Sequence, residues 1–120
     1  ERRTGEAPRM KVLTVTRKGG GVTGERRKDY QYRNLAANFA GRKADVFEVT
    51  VPADAGESGA HANSHPGQEF DYVLEGRMLV RIHGNELTLE AGDCVYFDSN
   101  HGHSMEALDG KPARFLAMII

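Results

Sequence analysis

The sequence predicts an all-β fold: a single-domain barrel or jelly roll of antiparallel strands. Two observations lead to this prediction. Apolar residues recur at every second position through several short segments, which is the period of a strand with one buried face. Turns that contain glycine separate those segments at short intervals, as they do in small barrels and sandwiches. A chain of 120 residues has room for one domain and little more.

Residues 1–43 are predicted to form a basic arm with one or two outer strands. Residues 10–16 alternate in polarity and are expected to be the first strand, which ends at the glycine triplet 19–21. Residues 31–41 fit either a helical turn or an irregular strand. Tyr30 and Tyr32 lie among basic residues, and we expect their rings to pack on the outer wall of the barrel rather than on nucleic-acid bases.

The barrel is predicted over residues 44–120. Its first strand carries Phe47, Val49 and Val51 on one face, alternating with polar residues. Further strands are predicted at 70–74, 77–83, 87–89, 95–97 and 114–120, with turns at Gly76, Gly84 and Gly92.

The last predicted strand is apolar on both faces. Phe115, Ala117 and Ile119 alternate there with Leu116, Met118 and Ile120. A single sheet buries only one of these two faces against its own core. We therefore predict a homodimer in which the second face meets a partner chain.

The composition excludes several classes of protein. Hydrophobic residues make up 39% of the chain and charged residues 28%, a balance typical of a folded globular protein rather than a disordered one. No apolar run approaches the ~18 residues that a membrane-spanning helix needs. Cys94 is the only cysteine, so no internal disulfide can form. We expect a buried structural thiol and a reducing, cytoplasmic location.

Charge is distributed unevenly along the chain. Residues 1–45 carry a net charge of +7 and residues 46–120 a net charge of -8, although the whole chain has a net charge of -1. A basic arm can reach towards nucleic acid, but the arm contains no recognisable DNA-reading helix. We expect it to pair with the acidic body of the same subunit or of a partner.

Three side chains form the candidate site. His65 and Glu69 lie four residues apart around a Pro-Gly turn, so the imidazole and the carboxylate can converge on one point. His103 returns from a later strand, opposite the first pair. Two imidazoles and one carboxylate leave coordination positions open, as is typical of non-haem Fe(II) and compatible with Mn, Ni, Co or Zn. The sequence predicts one divalent metal ion held by these three residues.

The first half of this pattern resembles the first sequence motif of the cupin superfamily. That motif is a His, one residue, a second His, three or four residues, a Glu, six residues and a Gly. In this chain its positions are occupied by Asn63, His65, Glu69 and Gly76. Every spacing agrees, and Asn63 stands where the family has its first His.

The second half resembles the second cupin motif. That motif is a Gly, five residues, Pro-x-Gly-Asp, and a His ten residues after the Asp. Here it begins at Gly84, continues through Glu90 to Asp93, and ends at His103, with Glu90 in place of the Pro. Together the two motifs identify the chain as a member of the cupin superfamily.

Residues 69–80, 89–105 and 111–120 also resemble particular members of that superfamily. They are similar to the cupin domain that follows a helix-turn-helix in bacterial (XRE-type) transcription regulators, and to that of the hydroxypropylphosphonate epoxidases. The resemblance implies His65, Glu69 and His103 as the ligands of the metal. It also implies that DNA is contacted only through a domain absent from this chain.

Other polar residues are candidates for additional ligands. His61 and His101 each lie two residues from a favoured position, so strand alternation can direct them to the same side. Asn63 can bind through its amide oxygen, hydrogen-bond to a ligand, or only shape the loop.

Further residues are candidates for the wall of the pocket. Asp71 shares strand parity with Glu69 and is the preferred candidate. Tyr72 and Tyr96 are also considered, and Tyr72 is expected on the opposite face.

Three classes of function fit the sequence. The first is a small-metabolite sensor domain of a transcription regulator. The second is a mononuclear non-haem metal enzyme, an oxygenase, epoxidase or isomerase, that acts on a small oxygen-rich metabolite. The third is a structural barrel with a vestigial site. A fold alone does not choose among them, because function depends on the site.

Overall fold

The computed structural model describes residues 12–27, 30–53 and 63–120. Within these ranges it contains strands and no helix, so no helix there is long and apolar enough to cross a membrane. The strands are β1 (Val22–Arg27), β2 (Tyr30–Asn34), β3 (Asp45–Val51), β4 (Gln68–Glu75), β5 (Arg77–Ile82), β6 (Asn85–Glu90), β7 (Cys94–Asp98), β8 (His103–Ala107) and β9 (Ala113–Ile119). The all-β prediction is confirmed.

The strands form two antiparallel sheets. One sheet has six strands in the order β1-β2-β3-β9-β4-β7, and the other has three in the order β6-β5-β8. Strands distant in the sequence are neighbours in the larger sheet, where β9 lies between β3 and β4. This arrangement of two sheets is a jelly roll, and the predicted antiparallel barrel is confirmed.

The core lies between the two sheets. In β5 the buried residues Met78, Val80 and Ile82 alternate with half-buried neighbours, as the sequence pattern predicts. In β3 the buried residues are Phe47 and Val49, followed by Val51 at the strand end. The remaining buried apolar side chains are Tyr30, Val73, Phe97, Met105, Ala113, Phe115 and Ala117.

Three of our expectations about individual segments are wrong. Residues 12–16 are in no strand, and the first strand is instead β1, because the residues after the glycine triplet pair with β2; Met10 and Lys11 lie outside the described residues. Tyr30 and Tyr32 point into the barrel rather than onto its outer wall, since they share the face of Val49 across the β2–β3 ladder. Cys94 is exposed, because it pairs with Tyr72 on the outer face.

The outer face of the larger sheet carries an ion-pair network. Arg114 donates from Nη1 to Glu48 Oε2 at 2.7 Å and from Nη2 to Glu75 Oε1 at 3.2 Å. Arg33 forms a second ion pair with Glu48. These contacts join β2, β3, β9 and β4, and one of them links the basic N-terminal region to the acidic body.

The two faces of β9 differ in burial as the sequence predicts. Phe115 and Ala117 are buried, whereas Leu116 and Met118 on the other face are half-buried and Ile120 is 58% exposed. Half-buried or exposed apolar neighbours from β4 and β7 extend this outer face: Phe70, Tyr72 and Tyr96.

Candidate metal centre

A tight turn before β4 brings His65 close to Glu69. Gly67 in this turn has a φ of 99°, and a Cβ added to it would lie 2.0 Å from the carbonyl oxygen of Ile120. Gln68 and Ile120 exchange backbone hydrogen bonds of 3.3 and 2.9 Å at the same place. Glycine therefore permits both the backbone conformation and the close approach of the turn to the end of β9.

Backbone hydrogen bonds also join the two motifs. The amide of His65 donates to Ser99 O at 2.9 Å. Asn63 and His103 form an isolated antiparallel bridge, with N–H···O distances of 2.8 and 2.9 Å. Because main-chain contacts position both histidines, the separation of their rings depends on the fold rather than on flexible loops alone.

The side chains of His65, Glu69 and His103 converge. Glu69 Oε1 lies 2.9 Å from His65 Nε2 and 3.6 Å from His103 Nε2. One potential ligand atom from each residue lies within 4.8 Å of the other two. Two atoms bonded to one ion at ~2.0–2.2 Å are about 3–4 Å apart, so these separations suit a shared divalent ion. Glu69 and His103 are buried, and His65 is half-buried.

The surroundings of His103 favour one ring tautomer. Its Nδ1 lies 2.8 Å from the carbonyl oxygen of His101. A carbonyl only accepts hydrogen bonds, so Nδ1 carries the proton and Nε2 presents its lone pair to the cluster. Phe97 packs against the ring, with centroids 4.8 Å apart. The hydrogen bond from Nδ1 to the His101 carbonyl is the outer contact that metal-binding histidines usually make.

Asp71 lies on the inward face of β4, as predicted, but deeper than the cluster. It is fully buried, and no described group donates a hydrogen bond to either of its carboxyl oxygens. Burial, and then the neighbouring Glu69 carboxylate, raises the pKa of Asp71 well above its usual value. Asp71 is not among the three clustered residues and does not line the cavity in front of them.

A cavity opens in front of the cluster. It contains about 470 Å³ of empty space, including the part open to solvent. The described lining residues are Tyr30, Tyr32, Val49, Asn63, His65, Glu69, His103, Ser104, Met105, Phe115, Ala117 and Ile119.

The additional candidates have different positions. Asn63 lines the cavity and is exposed, and its backbone pairs with His103. His101 is exposed on the surface, where its ring lies 4.1 Å from that of His83. Its side chain is not in the cluster. His61 lies outside the described residues.

The two tyrosines considered for the pocket wall both lie outside it. Tyr72 is 39% exposed on the outer face, as predicted. Tyr96 was wrongly considered for the wall, because it pairs with Phe70 in the outward register, and its hydroxyl donates to Gln68.

Sequence reasoning missed Tyr30 and Tyr32 as cavity residues. The signal was present, because the two tyrosines alternate with Gln31 and Arg33 at the period of a strand. The inward face of that strand became evident only from its register with Val49 in β3.

Comparison with known proteins finds solved structures that share this fold. Hydroxypropylphosphonic acid epoxidase from S. wedmorenis has a TM-score of 0.77 and 20% identity, over 90% of this chain and 59% of that one. The Fe(II) form of HppE has a TM-score of 0.78 and 22% identity, over 91% of this chain and 60% of that one. These identities establish similarity of fold alone.

One curated relative has higher sequence identity. An oxalate-binding protein from Thermotoga maritima is 32% identical over 79 residues, which are 65% of this chain and 64% of that protein. The chain thus spans slightly less than two thirds of the relatives named here. The family model described as Cupin_2, cupin domain, matches residues 47–119, which include both motifs and all three clustered residues. This chain therefore belongs to the Cupin_2 family of cupin domains.

Proposed function

We propose that this chain is a metal-binding cupin domain that binds a small metabolite, as the sensor domain of a bacterial transcription regulator. The observation that carries the proposal is the convergence of His65, Glu69 and His103 in the wall of a cavity. Two imidazole nitrogens and one carboxylate oxygen suit Fe(II), Mn, Ni, Co or Zn.

A bound ion would supply Lewis acidity and open coordination positions for a ligand. The chain's own residues would do the rest. Glu69 would bring the negative charge, and His103 would offer Nε2 because its Nδ1 proton is held by the His101 carbonyl. The cavity walls would exclude water from the bound metabolite.

Two findings support binding as the main activity. A cavity opens beside the three clustered side chains, and the curated relative named above is an oxalate-binding protein. Contact with DNA would require a separate helix-turn-helix domain in the same protein.

The second candidate function is a mononuclear non-haem metal enzyme. It is favoured by the fold similarity to hydroxypropylphosphonic acid epoxidase and to HppE in its Fe(II) form. Such an enzyme would convert a small oxygen-rich substrate, using the same three residues as ligands.

Metal analysis of the purified protein tests the common part of both proposals. We expect one equivalent of divalent metal, with large losses in His65→Ala, Glu69→Ala and His103→Ala. His101→Ala is the matched control, since its side chain is outside the cluster and its backbone carbonyl is retained. Metal content should also fall in acid, because imidazole must be unprotonated to bind a metal. Full metal content in all three cluster variants would refute the site.

Turnover separates the sensor from the enzyme. The Fe(II)-loaded protein is mixed with hydroxy acids or phosphono acids, and oxygen uptake and products are followed. A sensor should return the compound unchanged, and its thermal stability should rise with ligand concentration. Sustained turnover that is lost in Glu69→Ala would instead establish the enzyme.

A further inference from the structure

We propose that this site selects ligands with one anionic chelating group and an otherwise apolar body, and that it discriminates against dianions of the same size. The inference rests on the proposed metal site and adds the chemical class of its ligand. It follows from the charges around the cavity, the distribution of apolar surface, and the positions of the nearest arginines.

The cavity lining contains one formal charge besides that of a bound ion. Among the described lining residues, only Glu69 is an acid, and none is Lys or Arg. A divalent ion with Glu69 therefore gives a site of net charge +1. One carboxylate neutralises that charge. A second anionic group would meet no cationic side chain among the described lining residues, and burying it unpaired is costly in a partly desolvated site.

The residues that directly precede Asn63 in the sequence add no permanent positive charge. Residues 54–62, which precede Asn63, contain Asp54 and Glu57 but no Lys or Arg. That segment thus has no permanent positive charge to offer a second anionic group.

The wall beyond the cluster is largely apolar. Val49, Phe115, Ala117 and Ile119 contribute aliphatic and aromatic surface, all from the inward faces of β3 and β9. Burying apolar ligand surface against such a wall is favourable by about 25 cal/mol per Å². Contact with this wall therefore strengthens the binding of a ligand with a hydrocarbon body and weakens the binding of a ligand with a second carboxylate at the same place.

The polar groups in the wall are neutral. The Tyr30 hydroxyl is already engaged by the Met105 backbone, since it donates to Met105 O and accepts from Met105 N at 3.1 Å. Asn63 and Ser104 also carry no charge. Neutral groups can orient a ligand by hydrogen bonds, but they do not compensate a full second charge.

Two arginines on the strands that line the cavity, one on β2 and one on β9, are on the opposite side of the sheet. Arg33 and Arg114 both pair with Glu48 on the outer face. Their neighbours Tyr32 and Phe115 are the residues that face the cavity. Strand alternation therefore keeps these positive charges out of the site.

The test compares 2-hydroxy-4-methylpentanoate with malate, using Co(II)-loaded protein near neutral pH. Both compounds carry the same α-hydroxycarboxylate, and the isopropyl group of one is replaced in the other by a carboxylate of similar shape. Titration calorimetry gives the affinities, and the visible absorption of Co(II) reports coordination. We expect malate to bind at least about tenfold more weakly.

A pair of variants tests the charge argument. Tyr32→Lys puts a cation on the inward face of β2, and it should reduce or reverse the preference against malate. Gln31→Lys is the control, because Gln31 is exposed next to it on the same strand. Its preference should remain that of the wild type.

The possible outcomes separate this inference from the proposed function. If the wild-type protein does not bind Co(II) at the three ligands, the proposed function fails and this inference fails with it. If Co(II) binds but malate binds as tightly as 2-hydroxy-4-methylpentanoate, only this inference is overturned. The comparison of the two ligands on the wild-type protein tests this inference even if Tyr32→Lys does not fold.

Discussion

Asp71 lies two residues after Glu69 on β4, and the two carboxyl groups are neighbours on its inward face. Asp71 is completely buried, with no hydrogen-bond donor to either oxygen among the described residues. When Asp71 is protonated, its O–H can donate to Glu69, as its raised pKa indicates. Burial and the neighbouring Glu69 side chain therefore favour the neutral form of Asp71.

We expect Asp71→Asn to unfold with a free energy equal to or higher than that of the wild type at neutral pH. In the wild type, the unfolded chain releases the Asp71 proton above about pH 3.9, whereas the raised pKa of Asp71 in the folded chain delays its release to higher pH. The folded state then binds more protons, so its stability falls as pH rises above that value. Asn needs no proton and can still donate to Glu69. Urea unfolding at several pH values should give a shallower decline for the variant.

Asp71→Ala is the control for this comparison, because it removes the donor and leaves a void. It should lose about 1–3 kcal/mol at neutral pH. If Asp71→Asn lost as much stability as Asp71→Ala, the neutral state of Asp71 would be contradicted.

Gly67→Ala should destabilise the fold and weaken metal binding. The new Cβ would collide with Ile120 O at 2.0 Å, so the turn between His65 and Glu69 would have to shift. We expect a loss of about 2 kcal/mol or more in the free energy of unfolding. Gly84→Ala is the matched control, since Gly84 also has a positive φ, of 81°, but has open space around it. In chemical denaturation, Gly67→Ala should have a clearly lower free energy of unfolding than Gly84→Ala. If the two variants lost the same stability, the positive φ alone, and not the contact with Ile120, would account for the loss.

Glu48→Gln should lower stability at neutral pH by about 1 kcal/mol. Partial burial acts to raise the pKa of Glu48, but the hydrogen bonds from Arg114 and Arg33 outweigh it and lower the pKa below its usual value. A lowered folded-state pKa means that Glu48 stabilises the fold above the pKa of the unfolded chain, about 4.3. That contribution is lost as pH falls through the folded-state value.

The difference between the wild type and Glu48→Gln should therefore shrink in acid, measured by urea unfolding across the acid range. Asp109→Asn provides the comparison, because the Arg77–Asp109 ion pair is exposed. Its effect at neutral pH should be smaller than that of Glu48→Gln. A pH-independent difference for Glu48→Gln would argue for a packing effect instead.

We expect the chain to form a homodimer through the outer face of the larger sheet. Leu116, Met118 and Tyr72 present adjacent apolar surface there, and contact with a second copy would remove it from water. Light scattering at micromolar concentration should give twice the mass of one chain, and Leu116→Lys should give the monomer. Leu79→Lys, on β5 of the smaller sheet, is the control and should stay dimeric. A monomeric wild type would contradict this expectation.

The sequence alone predicts strands and their buried faces where burial follows a local pattern. Met78, Val80 and Ile82 alternate clearly, so β5 and its buried face could be predicted. His65, Glu69 and His103 could be chosen because motif spacing restricts which residues meet after the chain folds back.

The sequence was insufficient where position depends on strand register. Cys94 looked like a buried thiol, and only its pairing with Tyr72 puts it on the outer face. The contact of Gly67 with the Ile120 carbonyl could not be predicted either, because no side-chain pattern records the approach of two backbones.

The three clustered residues lie on both sides of the boundary between the two sheets. Glu69 is in β4 of the larger sheet, His65 precedes the turn that leads into β4, and His103 begins β8 in the smaller sheet. The single cysteine cannot join the sheets covalently within one chain. An ion held by all three would cross-link the two sheets at this boundary. Each transient separation of the sheets would then have to break a coordination bond. The rate at which the bound ion exchanges with ions in solution would then report how often the two sheets separate at this point.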